Sequence, residues 1–107
     1  MYTSILKWEP LRSIDSATLT GAYQAVGTPL THPAYILKLV NNSTSLVTVS
    51  INGASDIDVA PANSFWLYDE DGGNRFHPAI PSGTQIYVKG SAGTGLIYLV
   101  CQYQYQL

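Results

Sequence analysis

One cysteine, two histidines and seven carboxylates make up the chain's stock for nucleophilic, acid–base or metal chemistry. Cys101 closes the run Leu96-Ile97-Tyr98-Leu99-Val100-Cys101, the most apolar stretch of the sequence. Apolar surroundings raise a thiol's pKa and lower its reactivity, so Cys101 reads as a core residue rather than a nucleophile. A lone cysteine also makes no internal disulfide, and folding must rest on packing and strand pairing. His32 and His77 each precede a proline, which holds the preceding residue extended; both are expected in loops.

The run Asp69-Glu70-Asp71-Gly72-Gly73-Asn74 resembles the opening of a calcium loop. Such a loop closes on a bidentate glutamate, and here Ile80 stands at that position, so an EF-hand is excluded. A looser site recruiting Asp56 and Asp58 is the alternative to a solvated acidic turn. Gly90-Ser91-Ala92-Gly93-Thr94-Gly95 is glycine-rich but lacks the Lys-Ser/Thr ending of a phosphate loop and lies between two expected strands; it reads as a hairpin loop. Asn41-Asn42-Ser43 and Asn42-Ser43-Thr44 match the glycosylation pattern, yet turn chemistry accounts for these residues. No catalytic constellation, cofactor or metal emerges, and the chain reads as non-enzymatic.

The elements that carry these residues are strands. Val47, Val49 and Ile51 alternate with Thr48 and Ser50, the period of a half-buried strand. Asn52-Gly53 follows as a hairpin-turn signal, after which Ile57 and Val59 alternate with Asp56 and Asp58, predicting an antiparallel pair. Further strands are expected over 34–40, 64–68, 85–89 and 96–105, with a weaker one over 19–26. The last is the longest and, being apolar on both faces as far as Cys101, is expected to be central. No segment sustains a helical period, and glycine and proline recur throughout. The fold class is therefore all-β, an antiparallel β-sandwich or small, jelly-roll-like β-barrel, with an extended N-terminal arm over residues 1–15 and one β domain over 16–107.

Large side chains mark two candidate surfaces. Ile5, Leu6 and Trp8 precede Pro10 and the start of strong alternation, so the arm is free to reach a neighbour. At the other end, strict alternation in Gln102-Tyr103-Gln104-Tyr105-Gln106 puts Tyr103 and Tyr105 on one face, and tyrosine gives large contact area at low entropic cost. These five residues form the candidate assembly interface. Trp66, Tyr68 and Asp69 form an alternative ligand platform, a stacking surface beside an acceptor, of the kind a carbohydrate-binding β-sandwich uses.

Composition points to contact with other proteins. Charged residues are 11% of the 107, against about 25% in ordinary soluble domains. Ser, Thr, Asn and Gln fill the polar positions, and these are covered at less desolvation cost than charges. The net charge is −2 and the five basic residues (Lys7, Arg12, Lys38, Arg75, Lys89) are scattered, which argues against direct nucleic-acid binding and against an anionic membrane surface. The first ten residues lack the basic start and apolar core of a signal peptide, and no apolar run approaches the ~18 residues of a spanning helix.

Four strings resemble small β-structured virion proteins of tailed bacteriophages: Leu19-Thr20-Gly21-Ala22-Tyr23-Gln24-Ala25-Val26-Gly27, Ile36-Leu37-Lys38-Leu39-Val40-Asn41-Asn42-Ser43, residues 47–58, and Tyr87-Val88-Lys89-Gly90-Ser91-Ala92-Gly93-Thr94-Gly95. The resemblance covers most of the chain after residue 16 and carries no catalytic signature. It implies a virion location and a capsid decoration or cement protein acting through other virion proteins and through copies of itself. A head–tail connector, collar or tail component is similar in size and chemistry.

Overall fold

The structure is a computed structural model and describes residues 4–69 and 80–106. Nine strands make two antiparallel sheets: β1 Ser4–Trp8, β2 Arg12–Asp15, β3 Gln24–Ala25, β4 Ile36–Ser43, β5 Val47–Ser50, β6 Asp58–Ala60, β7 Ser64–Asp69, β8 Tyr87–Gly90 and β9 Gly95–Gln106, with one 3-10 turn at Ser16–Thr18. The first sheet has the order β1-β9-β4-β7, with β2 also paired to β9; the second has the order β3-β8-β5-β6.

The pairings β2·β9, β3·β8, β4·β7 and β5·β6 nest around a single turn, residues 51–57. A long two-armed hairpin folded at that turn and rolled up brings β9 beside β4 and β8 beside β5, which is the jelly-roll arrangement. The antiparallel pairing expected of the 46–51 and 57–59 segments is present. Its turn is longer than the two residues Asn52-Gly53: Ser50 Oγ accepts from the Gly53 N–H, and Asn52 Oδ1 accepts from the Ala54 and Ser55 N–H groups, so side chains satisfy the loop backbone. The loop over 90–95 is not a hairpin. β8 lies in the second sheet and β9 in the first, so the glycines carry the chain from one sheet to the other.

Alternation decides which residues fill the sandwich. Leu37 and Leu39 of β4, Val47 and Val49 of β5, Val88 of β8, and Ile97, Leu99 and Cys101 of β9 are fully buried, joined by Val26, Leu30 and Ile86 from connecting segments. Each such side chain contributes about 1.5–3 kcal/mol when buried. Where β4 turns into β5 and β6 into β7, fully buried Asn41 donates to the carbonyls of Ser45 (2.7 Å), Ala60 (2.9 Å) and Pro61 (3.1 Å) and accepts from Ser43 Oγ. Asn41 thus lies in a strand and ties one corner of the roll, whereas Asn42 beside it is exposed.

The segment expected as an arm runs along β9. Arg12–Asp15 pairs with residues 96–99 and Ser4–Trp8 with residues 102–106, one edge strand interrupted at Glu9-Pro10-Leu11. Proline supplies no N–H to the ladder, which accounts for the break.

Candidate functional site

β4 accompanies β9 only as far as Ile36, opposite Gln102. Among the described residues, β9 beyond that point pairs with β1 alone, so the first sheet is prolonged as a two-stranded ribbon, and the molecule measures 47 Å along its long axis against 24 and 21 Å across. The ribbon brings together all five residues of the expected interface, with Ile5 opposite Tyr105, Lys7 opposite Tyr103 and Trp8 opposite Gln102. Alternation divides them between two faces. Leu6 and Trp8 share the outer face of the sheet, and Trp8 is 61% exposed. Ile5, Tyr103 and Tyr105 share the other face, where the His32 ring stacks on Tyr103 at 3.6 Å between centroids and Lys7 Nζ lies 3.9 Å over the Tyr105 ring.

The base of the ribbon is fixed by a buried ionic knot. Glu9 donates its N–H to the Cys101 carbonyl, and its side chain is 1% exposed. Its carboxylate accepts from Arg12 Nη2 (2.7 Å), the Thr31 N–H and hydroxyl (3.1 and 3.0 Å), and the His32 N–H and Nδ1 (both 2.8 Å). Arg12 also donates to the carbonyls of Thr28 and Pro29. Burial alone would raise the Glu9 carboxyl, but the hydrogen bonds from His32, Arg12 and Thr31 outweigh it and hold the group at about 2, below its ordinary 4.5. With its lone pairs occupied, this carboxylate anchors rather than shuttles protons. Burial, reinforced by the Glu9 charge and partly offset by Arg12, pushes the nearby Cys101 thiol up to about 11, so it is protonated and inert at neutral pH.

The rest of the outer face is apolar along its middle. Register places Ile36, Lys38 and Val40 of β4, Phe65 and Leu67 of β7, and Tyr98 and Val100 of β9 on the side away from the core. Phe65 is 56% and Leu67 46% exposed. A hollow of about 450 Å³ is lined by Phe65, Tyr98, Val40, Lys38, Asn42 and Asn63.

The expected platform of Trp66, Tyr68 and Asp69 is not assembled on this surface. Trp66 and Tyr68 occupy the alternate positions of β7 and pack partly buried against the core, which leaves Phe65 and Leu67 facing outward. The acidic run over 70–74 and His77 lie outside the described residues. Asp56 pairs with Lys89 at 3.0 Å and accepts from the Tyr23 hydroxyl, and Asp58 Oδ1 accepts from the Val59 N–H. Among the described residues, no group of three or more His, Cys, Asp or Glu side chains is placed to hold a metal ion.

Sequence reasoning missed the Glu9–Arg12–Thr31–His32 knot and the Phe65–Val40–Tyr98 face. The in-phase pair Phe65 and Leu67 was the available signal for the face; the knot joins segments twenty residues apart and leaves no local trace. No family model, no curated protein and no solved structure matches the chain.

Proposed function

We propose that this chain is a non-enzymatic structural protein of a tailed-bacteriophage virion, working by protein–protein contact as a capsid decoration or cement protein. The observation that supports this best is the ribbon. An isolated two-stranded ribbon is marginal in water, yet this one carries Ile5, Leu6, Trp8 and Tyr105 into solvent. Seated on a neighbouring virion protein, those side chains leave water and the ribbon gains a third layer of contact. A low-charge surface and a core braced at the ribbon's base suit the same role.

The test is recovery with purified particles. Quantitative mass spectrometry should find the protein in many copies, near one per capsomer or capsomer junction; a count on the order of a dozen or fewer assigns it to the connector, collar or tail, where symmetry rather than surface area sets stoichiometry. The double substitution Leu6→Ala and Trp8→Ala should weaken affinity for particles by roughly thirtyfold, and so lower occupancy, while the isolated domain stays folded, because an aromatic anchor carries about 2 kcal/mol or more at an interface. Absence from particles, or full occupancy of that variant, refutes this reading.

A second reading, a carbohydrate-binding module, attaches to the hollow between Phe65 and Tyr98, where rings offer stacking and Asn42, Asn63 and Lys38 offer donors. Calorimetry with oligosaccharides that showed saturable heat abolished by Phe65→Ala would favour it.

A further inference from the structure

The two sheets differ on their outer faces. On the second, Lys89 is paired with Asp56 and lies 4.6 Å over the Tyr23 ring, beside half-buried Thr48 and Tyr87, and its charges are already satisfied within the chain. On the first, Ile36, Val40, Phe65, Leu67, Tyr98 and Val100 form one apolar field with Lys38 among them. Contiguous apolar surface of this kind marks an interaction site.

We infer that two copies of this chain pair through the outer face of the first sheet, sheet against sheet, while the ribbon is left for the particle; the inference rests on the reading of the protein as an assembly component. Three observations select a second copy as occupant. The face is four strands wide and extends from Leu96 to the foot of the ribbon at Gln102, about 19 Å by about 20 Å at ordinary strand spacings. That is roughly 400 Å² in projection and more when its corrugation is followed, against the ~800 Å² per partner of a standard stable interface, which suits a reversible dimer. The face also carries both a protrusion and a hollow: Phe65 is 56% exposed at the edge of the hollow that it lines with Val40 and Tyr98, and a two-fold axis at this place would set the Phe65 ring of each copy against the hollow of the other. Register places three charged positions on it, Lys38 near its middle and Asp15 and Asp69 on its two edge strands, so a two-fold mate can set cation against carboxylate. Two twisted sheets packed in this way stand about 10 Å apart with their side chains interdigitated.

Sedimentation velocity over a wide range of concentration tests the pairing. The unaltered protein should form a dimer; Leu67→Glu and Phe65→Glu, each placing a charge in the covered field, should weaken it by roughly a hundredfold, whereas Thr48→Glu on the opposite face should leave it intact. Circular dichroism verifies that each variant keeps its β spectrum. Should either face variant fail to fold, a mixed sample of isotope-labelled and unlabelled protein replaces it, and intermolecular NOEs should join the Val40 and Val100 methyls to aromatic rings. A monomer at every concentration, a dimer unaffected by both face variants, or absence of those NOEs overturns the inference, as does saturable oligosaccharide binding at the Phe65 hollow of a monomeric protein. Failure of the virion reading is separable from this: a dimer broken by Leu67→Glu but never recovered on particles upholds the pairing and rejects that reading. A monomeric wild-type protein recovered on particles does the reverse.

Discussion

Glu9 is the residue on which the geometry of the ribbon depends. Its carboxyl lies at about 2 in the fold against an ordinary 4.5, so between those values the unfolded chain binds the proton and the folded chain does not. Its contribution is therefore fully present above about pH 5 and is lost as pH falls from 4.5 towards 2, about 3 kcal/mol in all. Chemical denaturation as a function of pH should show that loss, and Glu9→Gln should flatten the profile over the same range. The same substitution should lower stability at pH 7 by about 3 kcal/mol, because it leaves the Arg12 guanidinium buried without its counter-charge. Gly27 is the second sensitive position. It has φ +68°, and a Cβ there would lie 2.8 Å from Arg12 Cγ and 2.9 Å from Arg12 Cβ. Gly27→Ala should accordingly cost about 2 kcal/mol, from the left-handed backbone and from displacement of Arg12; thermal melting measures it, and an unchanged melting temperature would show that the knot yields freely.

Among the elements, the edge strand separates into a part that serves the fold and a part that extends beyond it. β2 covers β9 inside the sandwich, with buried Arg12 and half-buried Ile14 turned inward, whereas the β1 residues Ile5, Leu6, Lys7 and Trp8 are all exposed. Glu9 marks the boundary. Deleting residues 1–8 should leave a folded domain with a modest fall in melting temperature and weakened attachment to particles. Deletion of residues 1–10 removes the carboxylate too and should destabilise by a further 3–5 kcal/mol or so, the cost of an uncompensated buried charge. Equal melting temperatures for the two truncations would mean that the knot contributes nothing to the fold.

At the scale of the whole molecule, composition and shape agree. Low charge, an apolar sheet face and a projecting ribbon give a domain whose stability rises when it is covered. Pairing through the face should therefore make the melting temperature climb with protein concentration, and Leu67→Glu should remove that dependence; differential scanning calorimetry at several concentrations reads both.

A period of two sends every second side chain to the same face and so groups Val47, Val49 and Ile51; Val47 and Val49 are buried, but Ile51 is 41% exposed, because β5 ends at Ser50 and Ile51 opens the turn. The same periodicity determined the all-β class and the pairing of β5 with β6, while two apolar faces as far as Cys101 gave β9 its central place. Which faces become surface was a different matter. β7 reads Phe65-Trp66-Leu67-Tyr68, large on both sides, and only its register with β4 decides that Trp66 and Tyr68 turn inward and Phe65 and Leu67 outward. Residues 4–15 lacked any local sign of a partner because that partner, β9, lies about ninety residues further along the chain. The knot likewise required Glu9 and Arg12 to meet Thr31 and His32. Local alternation encodes which side chains leave water, but pairing across long chain separations depends on how the roll closes, and closure is settled by the packing of both sheets together.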